Sequence, residues 1–204
     1  MKRLISLLLT LTFLLAFSSC GKEQEETDIS TTENTTKQET TTEPEVTTEE
    51  ETTMETTNNQ PVTISVTCNS LASNGRLLTK CSAASNGQNV VPGITWTKVD
   101  SAAAYAIYIL DKSASNWMHM KTIETATEIK EGGQLQGQYK GPYPPSGNHS
   151  YVIYVLALDK ALSSLPGNFD STNQGIDTLK AQINATILGQ GQTSVNYASG
   201  DYNV

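Results

Sequence analysis

Two long runs of apolar and β-branched residues constrain this chain most. Ala104 to Leu110 and Tyr151 to Leu158 are continuous, aromatic-rich and free of Gly or Pro. Runs of this length and make-up predict central strands covered on both faces. Two shorter segments alternate instead. Val62, Ile64, Val66 and Cys68 are interleaved with Thr63, Ser65 and Thr67, and Ile94-Thr95-Trp96-Thr97-Lys98-Val99 has the same period. A period of two predicts half-buried strands. Turn signals at Asn86-Gly87, Pro92-Gly93, Gly132-Gly133 and Gly141 to Gly147 separate the runs. Only Ile176, Leu179, Ile183 and Ile187 recur at helical spacing, with Gly189 expected as the stop. An extended run follows at Gln192 to Tyr197. The fold class expected is mainly β, with one late helix packed on the sheets and no internal repeat.

The N-terminal part has a different character. Lys2 and Arg3 precede an apolar run from Leu4 to Phe17, too short for an ordinary spanning helix and suited to an export signal that is removed. Phe17-Ser18-Ser19-Cys20 then sets small residues before a cysteine. This junction resembles the bacterial lipobox, which implies a signal peptide over 1–19 and a lipid on Cys20. Two acyl chains suffice for stable membrane anchoring where one does not. The expected location is the bacterial cell envelope, outside the cytoplasm.

Residues 21–60 contain 14 Thr, 11 Glu, one Asp and two Lys, a net charge of −10. Such a stretch cannot bury enough apolar surface to offset its chain entropy. The segment 20–60 is therefore expected to be a disordered linker spanning roughly 35 Å. With Lys2 and Arg3 also set aside, residues 61–204 carry no net charge out of the total of −8. The acidic balance belongs to the linker. The 61–204 domain shows no basic stripe suited to nucleic acid. Its two cysteines, Cys68 and Cys81, are expected to bridge outside the cytoplasm, where a short loop would gain roughly 3 kcal/mol. Two buried thiols are the alternative.

The chain has two histidines, His119 and His149. His119 follows the first long run, which ends at Asp111, and His149 precedes the second. Between them lies Gly141-Pro142-Tyr143-Pro144-Pro145-Ser146-Gly147, a rigid loop able to hold a polar side chain at a strand mouth.

These segments resemble the phosphatidylethanolamine-binding protein family, in particular its bacterial Raf-kinase-inhibitor-like branch. Asn89 to Trp96 resembles the motif N-x-S-P-P-L-x-W, and Ile107 to Met120 resembles D-P-D-A-P followed by W-x-H-W. Gly141 to Asp159 resembles G-P-x-P-P-x-G-x-H-R-Y-x-F-x-x-Y-A-L-D, and Lys180 to Tyr197 resembles the closing helix and strand. The resemblance implies an antiparallel β-sandwich with a C-terminal helix. It also implies a small anion pocket built from Asp111, His119, His149 and Tyr151, with Gly141 and Pro144 in its loop. The implied ligand is a phosphate or a phosphorylated headgroup. Two imidazoles and a phenol can donate to tetrahedral oxygens. A carboxylate belongs beside them if it accepts from an imidazole N–H. Backbone N–H groups of the Gly141 to Gly147 loop would add donors.

Lys112 and Ser113 replace the family's Pro-Asp, Met120 its aromatic residue and Ser150 its arginine. Lys112 is expected to bring a cation to the mouth. No catalytic residue, metal or cofactor is expected, and no protein partner can be named. Two other functions compete with binding. One is hydrolysis by His119, His149 and Asp111, metal-assisted or acid–base. The other is a surface protein-interaction module with a vestigial pocket. No H-x-x-x-H, H-x-H or G-x-S-x-G spacing supports catalysis.

Overall fold

The computed structural model describes residues 60–202. The expected signal peptide over 1–19, the lipidated Cys20 and all but the last residue of the 20–60 linker lie outside the described residues. Nine strands are present among them: β1 (Val62–Thr63), β2 (Val66–Cys68), β3 (Ile94–Trp96), β4 (Ala104–Asp111), β5 (Trp117–Glu124), β6 (Glu128–Ile129), β7 (Gln138–Tyr139), β8 (Asn148–Leu158) and β9 (Ile187–Ala198). One α-helix, α1, spans Ile176–Ala181. A large sheet has the order β1-β9-β8-β4-β5-β7 and a small one the order β2-β3-β6.

The two long apolar runs become β4 and β8, paired antiparallel at the centre of the large sheet. Their side chains alternate between two separate cores. Tyr105, Ile107, Ile109, Tyr151, Ile153 and Val155 face the small sheet and pack with Ile64, Ile94, Trp96 and Ile129. Ala106, Tyr108, Leu110, Val152, Tyr154 and Leu156 face the other way, onto Leu165, Leu179 and Ile183. A run with no polar face is what a strand between two cores requires.

Three local expectations change. The alternating segment from Val62 to Cys68 is two strands, because β1 pairs with β9 in the large sheet and β2 with β3 in the small one. The β1–β9 pairing is parallel, so the sandwich is not wholly antiparallel. Its tightness depends on Gly191, where an added Cβ would lie 2.0 Å from the Ile64 carbonyl oxygen.

The helix is also shorter than its spacing suggests. Ile183 still packs beside Leu179, but Ile187 already pairs with Leu158 and Gly189 lies within β9. Asp159 and Thr186 fix this return, with Asp159 N–H donating to Thr186 C=O at 3.1 Å and Thr186 N–H to Asp159 Oδ1 at 2.9 Å.

The expected Cys68–Cys81 disulfide is absent, and both residues are free, buried thiols. Cys68 ends β2 and Cys81 ends a short 3₁₀ turn, Thr79–Cys81, both inside the inter-sheet core. The loop between them is already closed by hydrogen bonds. Ala72 N–H donates to Arg76 C=O at 2.8 Å and Leu78 N–H to Ser70 C=O at 3.0 Å. Here the cysteines act as small apolar core residues.

Candidate functional site

The end of the inter-sheet core is where the polar residues gather. Asp111, last in β4, pairs across the sheet with Trp117 of β5 on one side and Tyr151 of β8 on the other. One row of the sheet thus sets an indole, a carboxylate and a phenol side by side. His149 lies two residues before Tyr151 on the same face of β8, and the two rings stack with centroids 6.3 Å apart. The turn from β4 to β5 passes through Ser115 and Asn116 at φ of 50° and 55°, so it closes with two successive left-handed residues.

His119 reaches this site through a β-bulge. Ile109 pairs with Met120 and Leu110 with Met118, so His119 is the extra residue of β5 with no partner on β4. The bulge breaks the alternation of the strand. Met120 packs into the inter-sheet core while Met118 packs into the opposite core. Bulges re-aim side chains next to sites in this way. The His119 ring then meets Tyr151 edge-on at 5.1 Å.

The Gly141 loop forms the facing wall. An added Cβ at Gly141 would sit 2.1 Å from the Cys81 carbonyl oxygen, so only glycine allows the loop to lie this close to the 81–83 backbone. Gly141 N–H donates to Asn89 Oδ1 at 2.7 Å. That donor is therefore used within the scaffold. Pro144 is buried in the wall and Tyr143 stands exposed at its rim.

Together these residues enclose a cavity of about 370 Å³. Asp111, His119, His149, Tyr151, Gly141 and Pro144, the six residues the sequence places at the pocket, all line it. Asp111 is 2 % exposed and its Oδ2 lies 2.6 Å from His149 Nδ1. Its other oxygen accepts from Ser113 N–H at 2.8 Å. A carboxylate so placed accepts from the Nδ1–H of His149 and leaves Nε2 as the ring's remaining hydrogen-bonding atom.

His119 is held differently, with Nδ1 2.8 Å from the Lys140 carbonyl oxygen. A carbonyl can only accept, so Nδ1 carries the proton and the neutral ring leaves a lone pair on Nε2. Burial lowers the pKa of His119, and the Lys140 carbonyl, Asp111 and Asp170 only partly oppose this. The Tyr151 hydroxyl is buried without a hydrogen-bond partner. It lies near enough to Asp111 to feel its charge, although hydrogen-bond geometry is not met. Burial first and Asp111 second push its pKa well up, so it remains a proton donor.

Six further lining residues were not placed at the pocket from the sequence, among them Lys140, Trp117 and Asp170. Lys140 Nζ pairs with Asp170 Oδ2 at 2.7 Å, and the Trp117 indole N–H donates to Asp170 Oδ1 at 3.2 Å. Lys140 directly precedes the Gly-Pro loop, which was the available signal. Asp170 had none, since the segment from Leu162 to Gly175 carries no periodic pattern. Lys112, expected to supply the cation, is not a lining residue, and its ammonium instead donates to Asn116 Oδ1 on the turn.

Comparisons with known proteins agree with this architecture. A UPF0098 protein of Methanothermobacter thermautotrophicus is 29 % identical over 104 residues, covering 40 % of this chain and 69 % of the relative. A phosphatidylethanolamine-binding protein homologue from Chlamydia trachomatis superposes with a TM-score of 0.50 at 17 % identity, over 66 % of this chain and 97 % of that one. That likeness is one of fold. E. coli YbcL, described as a member of the mammalian family of the same name, has a TM-score of 0.48 at 21 % identity, over 66 % of this chain and 98 % of that one. The family model for phosphatidylethanolamine-binding protein matches residues 67–198, well over half of the sequence. On that match, the chain belongs to the phosphatidylethanolamine-binding protein family.

Proposed function

We infer that the domain is a binding module whose pocket captures a small anion, either phosphate or a phosphorylated headgroup, and that lipid on Cys20 holds it at the outside of a bacterial membrane. One observation carries the reading. Two imidazoles and a buried, unpartnered phenol O–H line the same cavity as a lysine. The His149–Asp111 contact orients the ring, since Nδ1 is held by the carboxylate at 2.6 Å and Nε2 is left for a ligand.

Titration of ¹⁵N-labelled protein with inorganic phosphate tests the pocket. Shifts clustered on β5, β8 and the Gly141 loop are expected, and His119→Ala and His149→Ala should each abolish them. Unchanged titration in both variants would sink the anion reading. Incorporation of labelled palmitate in a bacterial host, lost in Cys20→Ser, tests the anchor.

A second reading draws on the same dyad. An imidazole oriented by a carboxylate is also the arrangement of a general base. Among the described residues, however, no cluster of three His, Cys, Asp or Glu side chains is placed to hold a metal ion. Hydrolysis of p-nitrophenyl phosphate that disappears in His149→Ala would favour an enzyme over a binding module.

A further inference from the structure

Among the described residues, Lys140 is the only lysine or arginine lining the cavity, and its ammonium is already paired. Its partner is anchored more firmly than it is. Asp170 sits at φ 52°, donates its backbone N–H to Met118 C=O at 3.0 Å and accepts the Trp117 indole N–H on its second oxygen. Lys140, by contrast, is a flexible side chain about half exposed at the rim. A rigid carboxylate and a movable ammonium share one wall of a pocket that has no other permanent cation.

We propose that Lys140 is the cation that reads the ligand's charge and that Asp170 is its built-in competitor, so that a bound oxyanion must take the ammonium away from Asp170. This rests on the anion-pocket reading and adds a selectivity to it. Exchanging one singly charged partner for another gains the ammonium almost nothing. Exchanging Asp170 for a doubly charged tetrahedral group gains the attraction of one further charge. At about 4 Å in water that attraction corresponds to roughly a fivefold preference. An exposed ion pair is weak enough to be opened by such a ligand. The site therefore selects phosphate monoesters or free phosphate dianion over singly charged diesters.

The experiment measures binding of inorganic phosphate and of dimethyl phosphate at pH 8 by calorimetry, on the full chain and on Asp170→Asn and Lys140→Gln. The wild type should prefer phosphate by about fivefold. Asp170→Asn, which keeps an acceptor for Trp117, should bind both anions about fivefold more tightly while the preference for phosphate persists. Lys140→Gln should weaken phosphate binding and lose the preference. Thermal midpoints within a few degrees of wild type establish that both variants are folded. If wild type binds phosphate and either variant matches it within twofold, or if Asp170→Asn binds more weakly, the charge-reading role is overturned while the pocket stands. If no form binds either anion, both readings fall.

Discussion

His119 and Lys140 are joined twice. The backbone N–H of Lys140 donates to the His119 carbonyl at 2.8 Å, and the Lys140 carbonyl lies 2.8 Å from the His119 ring Nδ1. A bulged residue with no partner on β4 is thereby pinned, by its carbonyl and its ring, to the backbone just after β7. The side chain of Lys140 takes no part in the clamp and pairs with Asp170 at the rim of the pocket.

Burial of the clamped His119 ring gives stability a pH dependence. Burial sets the folded pKa of His119 below its ordinary value of about 6.5. The unfolded chain therefore binds the proton more readily than the folded one. The contribution of His119 is complete above about pH 6.5 and is lost as pH falls toward the lowered folded value. Urea unfolding should show stability declining between pH 7 and 5, and His119→Gln should flatten that decline. An unchanged slope in the variant would count against the buried neutral ring.

Breaking the dyad from its two sides should cost different amounts. His149→Ala leaves Asp111 as a buried carboxylate with only Ser113 N–H on it, which should destabilise by about 3 kcal/mol. Asp111→Asn keeps an oxygen for Ser113 and removes the buried charge, and should cost about 1 kcal/mol. Denaturant midpoints decide the order. A larger loss in Asp111→Asn would mean that the carboxylate is not the group in need of a partner.

Gly141→Ala should damage fold and site together. Its methyl group would meet the Cys81 carbonyl at 2.1 Å, so either the loop or the 81–83 segment must move. Overpacking of this kind costs about 1–3 kcal/mol. A lowered thermal midpoint together with loss of the phosphate-induced shifts is expected.

The cysteines should be silent in the folded protein. Burial first, and the charge of Glu131 next, push the Cys81 thiol up to about 12, and burial raises Cys68 as well. Neither should react with Ellman's reagent at pH 8 until denaturant is added, and both should then react. Titrating Cys20→Ser keeps the count confined to this pair.

Much of the framework could be read from residue order alone. The runs at Ala104 and Tyr151 have no polar face, and that is the signature of strands buried on both sides. The six pocket residues were likewise reached through local motifs flanking those strands. What escaped notice depends on contacts distant in sequence. His119 was placed at the pocket but its strand and its bulge were not, because a bulge is a matter of register with β4, which one strand's sequence does not contain. The split between β1 and β2 has the same cause, since Ile64 and Val66 alternate equally well whether they serve one sheet or two. The helical spacing at Ile183 and Ile187 was real for burial and misleading for conformation. The expected disulfide rested on the compartment, which governs whether a bridge survives and not whether two thiols are placed to form one.

The short β1 strand has a consequence for how this domain behaves in a crowd. β9 is long, and without β1 it would be the outermost strand on its side of the large sheet. Val62 and Thr63 occupy one end of its free edge, with Ile64 N–H donating to Gln190 C=O at 2.9 Å. Arg76 bridges to Asn196 at the other end, where Leu77 N–H takes the Asn196 carbonyl at 2.9 Å. An open edge of that length is a template for recruiting strands from other molecules. Two residues of backbone at one end and one bridge at the other act as caps against polymerisation, and a chain trimmed past Ile64 would lose the first of them.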